Sequence, residues 1–271
     1  MTAALISIAE YSVVLFTGVF FVAQFACYEA GFRLAARRRG HPAAQPEAVG
    51  VVVGGMLGLL AFVLALTLSF ANARFSERQA GSLAEANAIG TAWLRAKAIG
   101  DPRGEAIAGL LEQYIAVRAD FVEAGRDDAV INRLNQTTGA LQSQMWGHLA
   151  GIVRERPDPV VAELMSALNA TFDASTSERF AFQLRLPTQM FWLLVGMTLL
   201  SMACLGYQFG LRGRPMRLLV ALLTFMWAAV IVNILDLASA RLGQFRTGTA
   251  AYEWTRQGFR GGVVIPPLPS P

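Results

Sequence analysis

The sequence predicts an all-α membrane protein: four transmembrane helices, with a four-helix extramembrane domain inserted between the second and third. The second span continues without a break into the first helix of that domain. Three observations predict this architecture. Four apolar runs approach the roughly 20 residues that a bilayer requires, and each is bounded by charge. Between the second and third runs, apolar residues recur at helical spacing, and no period-2 segment competes with them. The 271 residues are 54% hydrophobic and 15% charged, with mean hydropathy +0.43, whereas an ordinary soluble domain is about 25% charged.

The first run extends from about Tyr11 to Phe32 and is interrupted by Gln24 and Glu29. No Lys or Arg precedes it and no small-residue cleavage site follows, so it reads as a retained anchor and not as a signal peptide. The second, Val49 to Phe70, contains no charged residue. At about 1.5 Å per residue it is long enough to cross the hydrocarbon core. The third, Thr188 to Gly210, begins just after Pro187, and the fourth, Met216 to about Leu237, carries Asn233 and Asp236 near its end.

Residues 71–187 hold twelve Lys or Arg and fourteen Asp or Glu, a balance that belongs in water. Punctuation divides them into four helices. The first, from about Ala71 to Ile99, aligns Phe75, Ser82, Ala86, Ile89 and Trp93 on one face and stops at Gly100. Asp101 then caps a second helix that has Pro102 at its first position, a pairing that suits both the orphan amides and the fixed φ of proline. Its buried stripe is Ile107, Leu110, Leu111, Tyr114, Val117 and Phe121. Asp127 caps the third, where Val130, Leu134, Leu141, Met145 and Ile152 form a packing seam. Asp158 and Pro159 repeat the cap-then-proline signal for the fourth, which buries Val161, Leu164, Leu168 and Phe172. The segment 239–271 reads as a flexible tail, ending in a Pro-rich stretch, Ile265 to Pro271, that cannot bury a core.

Two cysteines and two histidines exclude a disulfide framework, a zinc cluster and a haem attachment site. His41 and His148 have no second ligand at metal spacing. No nucleophile–base pair, phosphate-cradling loop or dinucleotide fingerprint occurs, so neither catalysis nor a cofactor is expected. The net charge of +4 does not point to nucleic acid, because its arginines cluster at span ends. The two short loops carry Arg33, Arg37, Arg38, Arg39, Arg212, Arg214 and Arg217 against one acid, Glu47. On the opposite side, Arg74, Arg78, Arg179, Arg185, Arg241 and Arg246 are spread among acidic residues. Short loops dominate the positive-inside bias, which places them in the cytoplasm and the helical domain outside.

Within the spans, Gly50, Gly54 and Gly58 make two small-xxx-small steps that admit a close helix neighbour, within or between subunits. Phe62, Leu66 and Phe70 recur every four residues, a stripe that faces lipid, a neighbouring helix or a dewetting pore. Glu29 and Asp236 are charges near span ends, where ion pairing or anchoring competes with a functional role. Glu29 stands at i, i+4 from Arg33, while Asn233 lies deeper and is expected to bond across helices. Glu85 and Asn87 are two residues apart and point to nearly opposite faces. They make no compact ligand pair from that helix alone, and Glu85 either binds a cation or lines a vestibule in an oligomer, or pairs with a buried arginine of the domain.

Three stretches resemble a known family of bacterial integral-membrane proteins, the bestrophin-like proteins. They are Tyr28 to Leu34, similar to a Glu-x-Gly-x-Arg-Leu signature; Gly58 through Phe70 to Arg95, including Asn72–Phe75 and Glu85–Arg95; and Asp236-Leu237. The last resembles an Asp-Leu-Asp-x-Pro-x-x-Gly ending, but Ala238 and Ala240 stand where the family usually has Asp and Pro. Bestrophins proper are pentameric anion or cation channels with a hydrophobic neck on the second span. Phe62-Val63-Leu64-Ala65-Leu66 is similar to their Phe-Val-Leu-Gly-Phe neck, at the same distance before an arginine, here Arg74. Their helical domain is cytosolic, the reverse of what the arginine distribution predicts here.

Two functions are thus expected for a bacterial inner-membrane protein with a periplasmic helical domain. One is a homo-oligomeric, bestrophin-like channel for inorganic ions, a pentamer by resemblance. Phe62, Leu66 and Phe70 would form its constriction, and Arg74, Arg78 and Glu85 its mouth. The other is a membrane-anchored interaction or sensor protein whose helical domain binds a partner.

Overall fold

The computed structural model describes residues 13–38, 46–184, 187–241, 243, 245–264 and 266. They form helices and connecting segments, with no strand among them: α1 Val13–Ala36, α2 Pro46–Ala98, α3 Pro102–Glu123, α4 Asp128–Glu155, α5 Pro159–Gln183, α6 Thr188–Arg212, α7 Arg217–Ala238 and α8 Ala250–Arg260. Among the described residues four segments are long and apolar enough to cross a membrane: Leu15–Ala36, Glu47–Ala98, Pro159–Arg212 and Arg217–Ala238. In the third of these Glu163, Asp173, Glu178 and Arg179 lie on α5 and the charge on α6 is Arg212 in its last turn, so α6 is its apolar portion. The all-α class is as expected, and α2 is a single helix of 53 residues.

The chain divides into a membrane unit, Met1–Arg74 with Arg185–Ser239, and a helical unit, Phe75–Leu184 with Ala240–Pro271. In the membrane unit α1 packs chiefly against α6 and also meets α7. Glycine explains the closeness of the first contact. A Cβ on Gly31 would stand 2.0 Å from the Ala203 carbonyl oxygen, one on Gly206 2.0 Å from that of Tyr28, and one on Gly210 2.4 Å from that of Phe32. Only hydrogen fits at these three positions. Lipid supplies no hydrophobic drive between helices, so close backbone packing of this kind does the holding. Phe16, Phe20, Leu60, Leu64, Phe191, Leu194, Ala228 and Ile231 fill one core of this unit. Tyr28, Val53, Met202, Leu205 and Val220 fill a second. Buried Thr67, Thr198 and Thr224 return their hydroxyls to the carbonyls of Val63, Leu194 and Val220 four residues earlier, a local solution for polar groups that have no water.

In the helical unit the three expected caps are in place. The Asp101 carboxylate accepts from Arg103 N, that of Asp127 from Ala129 N and Val130 N, and that of Asp158 from Val161 N. Each satisfies an amide that has no intrahelical partner. The Asp158 carboxyl is held below its usual range, first by the Val161 amide and also by the Arg156 guanidinium. Ile89, Trp93, Ile107, Leu111, Tyr114, Phe121, Met145, Leu149, Leu164 and Leu168 are among the residues of one continuous core.

The reading of 239–271 as a flexible tail is corrected. Residues Ala250–Arg260 form α8, which packs against α3, with Tyr252 and Phe259 buried and the Phe259 ring stacked on Trp93 at 4.8 Å. Two aromatic residues seven apart occupy one face of a helix, and that face gives the segment its core contact. Of the Pro-rich end, Ile265 and 267–271 lie outside the described residues.

Candidate functional site

Two features are candidates for function: one side of α2, and a buried charge network in the helical unit. Along α2, Val53, Leu60, Leu64, Thr67 and Ala71 are buried in the membrane unit, and Arg78, Ser82, Glu85, Ile89, Ala92 and Ala96 in the helical unit. Within each unit, steps of three, four and seven residues keep these residues on one side of the helix. The opposite side is open. Phe62 is 61% exposed, Leu66 55% and Phe70 38%, and Gly54, Gly58, Ala61, Ala65 and Ser69 are exposed beside them. A Cβ on Gly54 or Gly58 would meet nothing within 4 Å. Gly50 differs, because a Cβ there would stand 2.7 Å from the Gln208 side-chain nitrogen. Within one chain, then, Gly54 and Gly58 are not used for packing.

Arg74 is half-buried, its guanidinium 5.1 Å from the centre of the Phe70 ring, within cation–π range. Arg78 and Glu85 are both buried, at 2% and 0% exposure. That corrects their placement at a pore mouth, since neither side chain reaches solvent. Glu85 instead pairs with a buried arginine. Arg118 donates from Nε to Glu85 Oε1 at 2.5 Å and from Nη2 to Oε2 at 3.2 Å, and the Tyr252 hydroxyl donates to Oε2 at 2.6 Å. Arg118 Nη2 also reaches the Ser175 carbonyl at 3.4 Å. Gln142 Nε2 donates to the Tyr114 hydroxyl at 2.9 Å and to Ser175 Oγ at 3.2 Å, while Ser82 Oγ donates to Glu178 Oε1. Every helix of the unit, α2, α3, α4, α5 and α8, contributes a side chain.

The electrostatics follow from burial. Desolvation opposes the Arg118 charge, but the adjoining Glu85 carboxylate outweighs it and holds the guanidinium above its usual range. Burial, with the Glu85 charge, pushes the Tyr252 hydroxyl far upward, so it stays a donor. Glu178 is pushed up to about 7, by burial first and by Glu85 next, against the opposing hydrogen bond of Ser82 and the charges of Arg118 and Arg78. Its second carboxylate oxygen has no hydrogen-bond partner among the described residues and lies over Gly81, where an added Cβ would clash with it. At the edge of this core Arg241 donates to the Phe121 and Ala124 carbonyls, each at 2.8 Å, closing the C-terminus of α3. Its guanidinium lies 4.6 Å from the Phe121 ring centre and 4.9 Å from that of Phe182. Desolvation and the Arg118 and Arg246 charges draw it down to about 10.

The remaining polar candidates are local. Glu29 does stand 3.9 Å from Arg33, but its close partner is Arg217, whose Nε donates to Oε1 at 2.6 Å. Asn233 is exposed and donates to the Ala229 carbonyl of its own helix at 2.9 Å, which corrects the expected cross-helix bond. Asp236 is largely buried. His41 lies outside the described residues. No group of metal-ligating side chains occurs among the described residues.

The site and fold define a multi-span, all-helical membrane protein whose second span is extended into a helical unit with a charged interior. The chain belongs to the Bestrophin-like family: the Bestrophin-like domain matches residues 18–252. No curated protein and no solved structure matches it.

Proposed function

We propose that the chain assembles into a homo-oligomeric ion channel, with the second spans around the axis and Phe62, Leu66 and Phe70 as its hydrophobic constriction. The observation that supports this reading is the open side of α2. Phe62 and Leu66 are more than half exposed although Val53, Leu60, Leu64, Thr67 and Ala71 of the same span are buried, and the adjoining Gly54 and Gly58 leave room for a neighbouring backbone. Apolar constrictions gate by dewetting, which needs no charged lining. The lining here is accordingly apolar: Thr67 is turned into the core, and Ser69 is the exposed hydroxyl of the stripe. Five subunits is the number suggested by the neck-like segment Phe62–Leu66. Arg74, one turn beyond Phe70, is the cation closest in sequence to the constriction, and small inorganic ions are the permeant class.

The arginine-rich short loops are assigned to the cytoplasm and the helical unit to the periplasm of a bacterial inner membrane. A topology reporter fused at Asp127 checks this; cytoplasmic signal would reverse the assignment. Ion flux from liposomes tests the channel. Flux through the wild-type protein, raised severalfold by Phe62→Ala or Leu66→Ala, is the expected result. Incorporated protein with no flux above empty liposomes would remove the channel and leave a membrane-anchored protein whose helical unit binds a partner.

A further inference from the structure

The membrane unit contains a groove of about 590 Å³, within the roughly 300–1,000 Å³ of ligand-sized cavities. Leu34 of α1, Val49, Val52 and Val53 of α2, and Cys204 and Tyr207 of α6 line it. These positions fix its depth. Leu34 is in the last turn of α1, Val49 to Val53 are in the first turns of α2, and Tyr207 is near the end of α6. The groove therefore sits at the arginine-loop end of three spans, where the hydrocarbon region gives way to headgroups. Leu34 and Val52 are exposed, so it opens outward.

Its rim is polar and cationic. A Cβ on Gly50, next to Val49, would stand 2.7 Å from Gln208 Nε2 and 3.6 Å from Arg212 Nη2, so an amide and a guanidinium lie over the helix where the groove ends. Arg37 and Arg38 follow Leu34 by three and four residues and are exposed, as is Arg214. The acids of this end are Glu29, engaged by Arg217 at 2.6 Å, and Glu47 in the first turn of α2. Positive charge is in excess. A phospholipid has the matching chemistry: an apolar chain for the groove and an anionic headgroup for the rim.

We propose that this groove holds an acyl chain of an anionic phospholipid, whose headgroup phosphate is bound by Arg212 and Gln208 with Arg37 and Arg38 adding positive charge. Guanidinium suits this role because it presents two parallel donors to phosphate oxygens, and basic pockets between spans are a recurrent headgroup site.

Native mass spectrometry of the delipidated full chain, titrated with phosphatidylglycerol or phosphatidylcholine of the same acyl chains, tests this. Retention of phosphatidylglycerol over phosphatidylcholine is expected. Arg212→Gln should weaken the anionic lipid about fivefold, the value of one basic residue near a charged headgroup. Val52→Trp, at an exposed position, fills the groove from outside and should displace it. Equal retention of the two lipids, or unchanged binding in Val52→Trp, would overturn the proposal. So would a Val52→Trp variant that changes the number of subunits while keeping its lipid, because the groove would then be a protein interface.

Discussion

Glu178 is the residue whose environment departs furthest from water with a titration inside the physiological range. Its carboxyl moves from 4.5 in the unfolded chain to about 7 in the fold, because burial and the Glu85 charge disfavour ionisation. The folded state thus holds a proton more tightly, and the resulting stability is fully present below about pH 4.5 and is lost as pH rises through 7. The difference amounts to about 3 kcal/mol. Thermal melting between pH 5 and pH 8 should show this decline for the wild type and not for Glu178→Gln, which should also melt higher at pH 8. Identical slopes in the two proteins would remove Glu178 as the cause. The neighbouring Glu85 and Arg118 form a buried salt bridge. Glu85→Gln leaves the Arg118 charge uncompensated and should cost about 3–5 kcal/mol. Tyr252→Phe should cost about 1.5–3 kcal/mol through one lost bond to a charged group. Chemical denaturation reads both, and a cost below about 1 kcal/mol for Glu85→Gln would mean that the pair is solvated.

Among the helices, what was legible in the sequence was local. Asp101, Asp127 and Asp158 were readable as caps because a cap depends on the next three residues alone, and the stop at Gly100 follows from its φ of 66°. Of the network, that Glu85 pairs with a buried arginine was legible, but which arginine, and the part of Tyr252, were not. Glu85 and Arg118 are 33 residues apart and Glu85 and Tyr252 are 167 apart, and no spacing rule links them before the helices pack. Helix α8 was missed although Tyr252 and Phe259, seven apart with charges between them, carried the signal of an amphipathic turn. The small-xxx-small pattern is legible at Gly50, Gly54 and Gly58, but the same four-residue step on α6, Gly206 and Gly210 with Gly31 opposite, is where backbone approaches closely within the chain. The two sets separate experimentally. Gly206→Ala drives a methyl into the Tyr28 carbonyl and should destabilise the monomer by about 1–3 kcal/mol. Gly58→Leu finds open space within the chain, so it should leave the monomer fold intact and weaken subunit association. Equal loss of fold in both, measured by melting in detergent, would place Gly58 inside the monomer.

At the scale of the whole molecule, a single helix, α2, belongs to two environments. In the membrane unit one side of it meets apolar side chains while Phe62, Leu66 and Phe70 remain open on the other; in the helical unit Ile89 and Trp93 join an apolar core and Glu85 meets Arg118. An open apolar stripe in a membrane protein is stable against lipid alone, so exposure by itself does not require a pore; the adjoining Gly54 and Gly58 give the stripe its capacity for a close neighbour. Rotational symmetry brings one copy of that stripe per subunit to a common axis. Native mass spectrometry of the purified chain in nanodiscs measures this most directly. A closed ring of about five subunits, lost or reduced in Gly58→Leu, is the expected result, and a monomer or dimer for the wild-type chain would contradict an oligomeric pore built on α2.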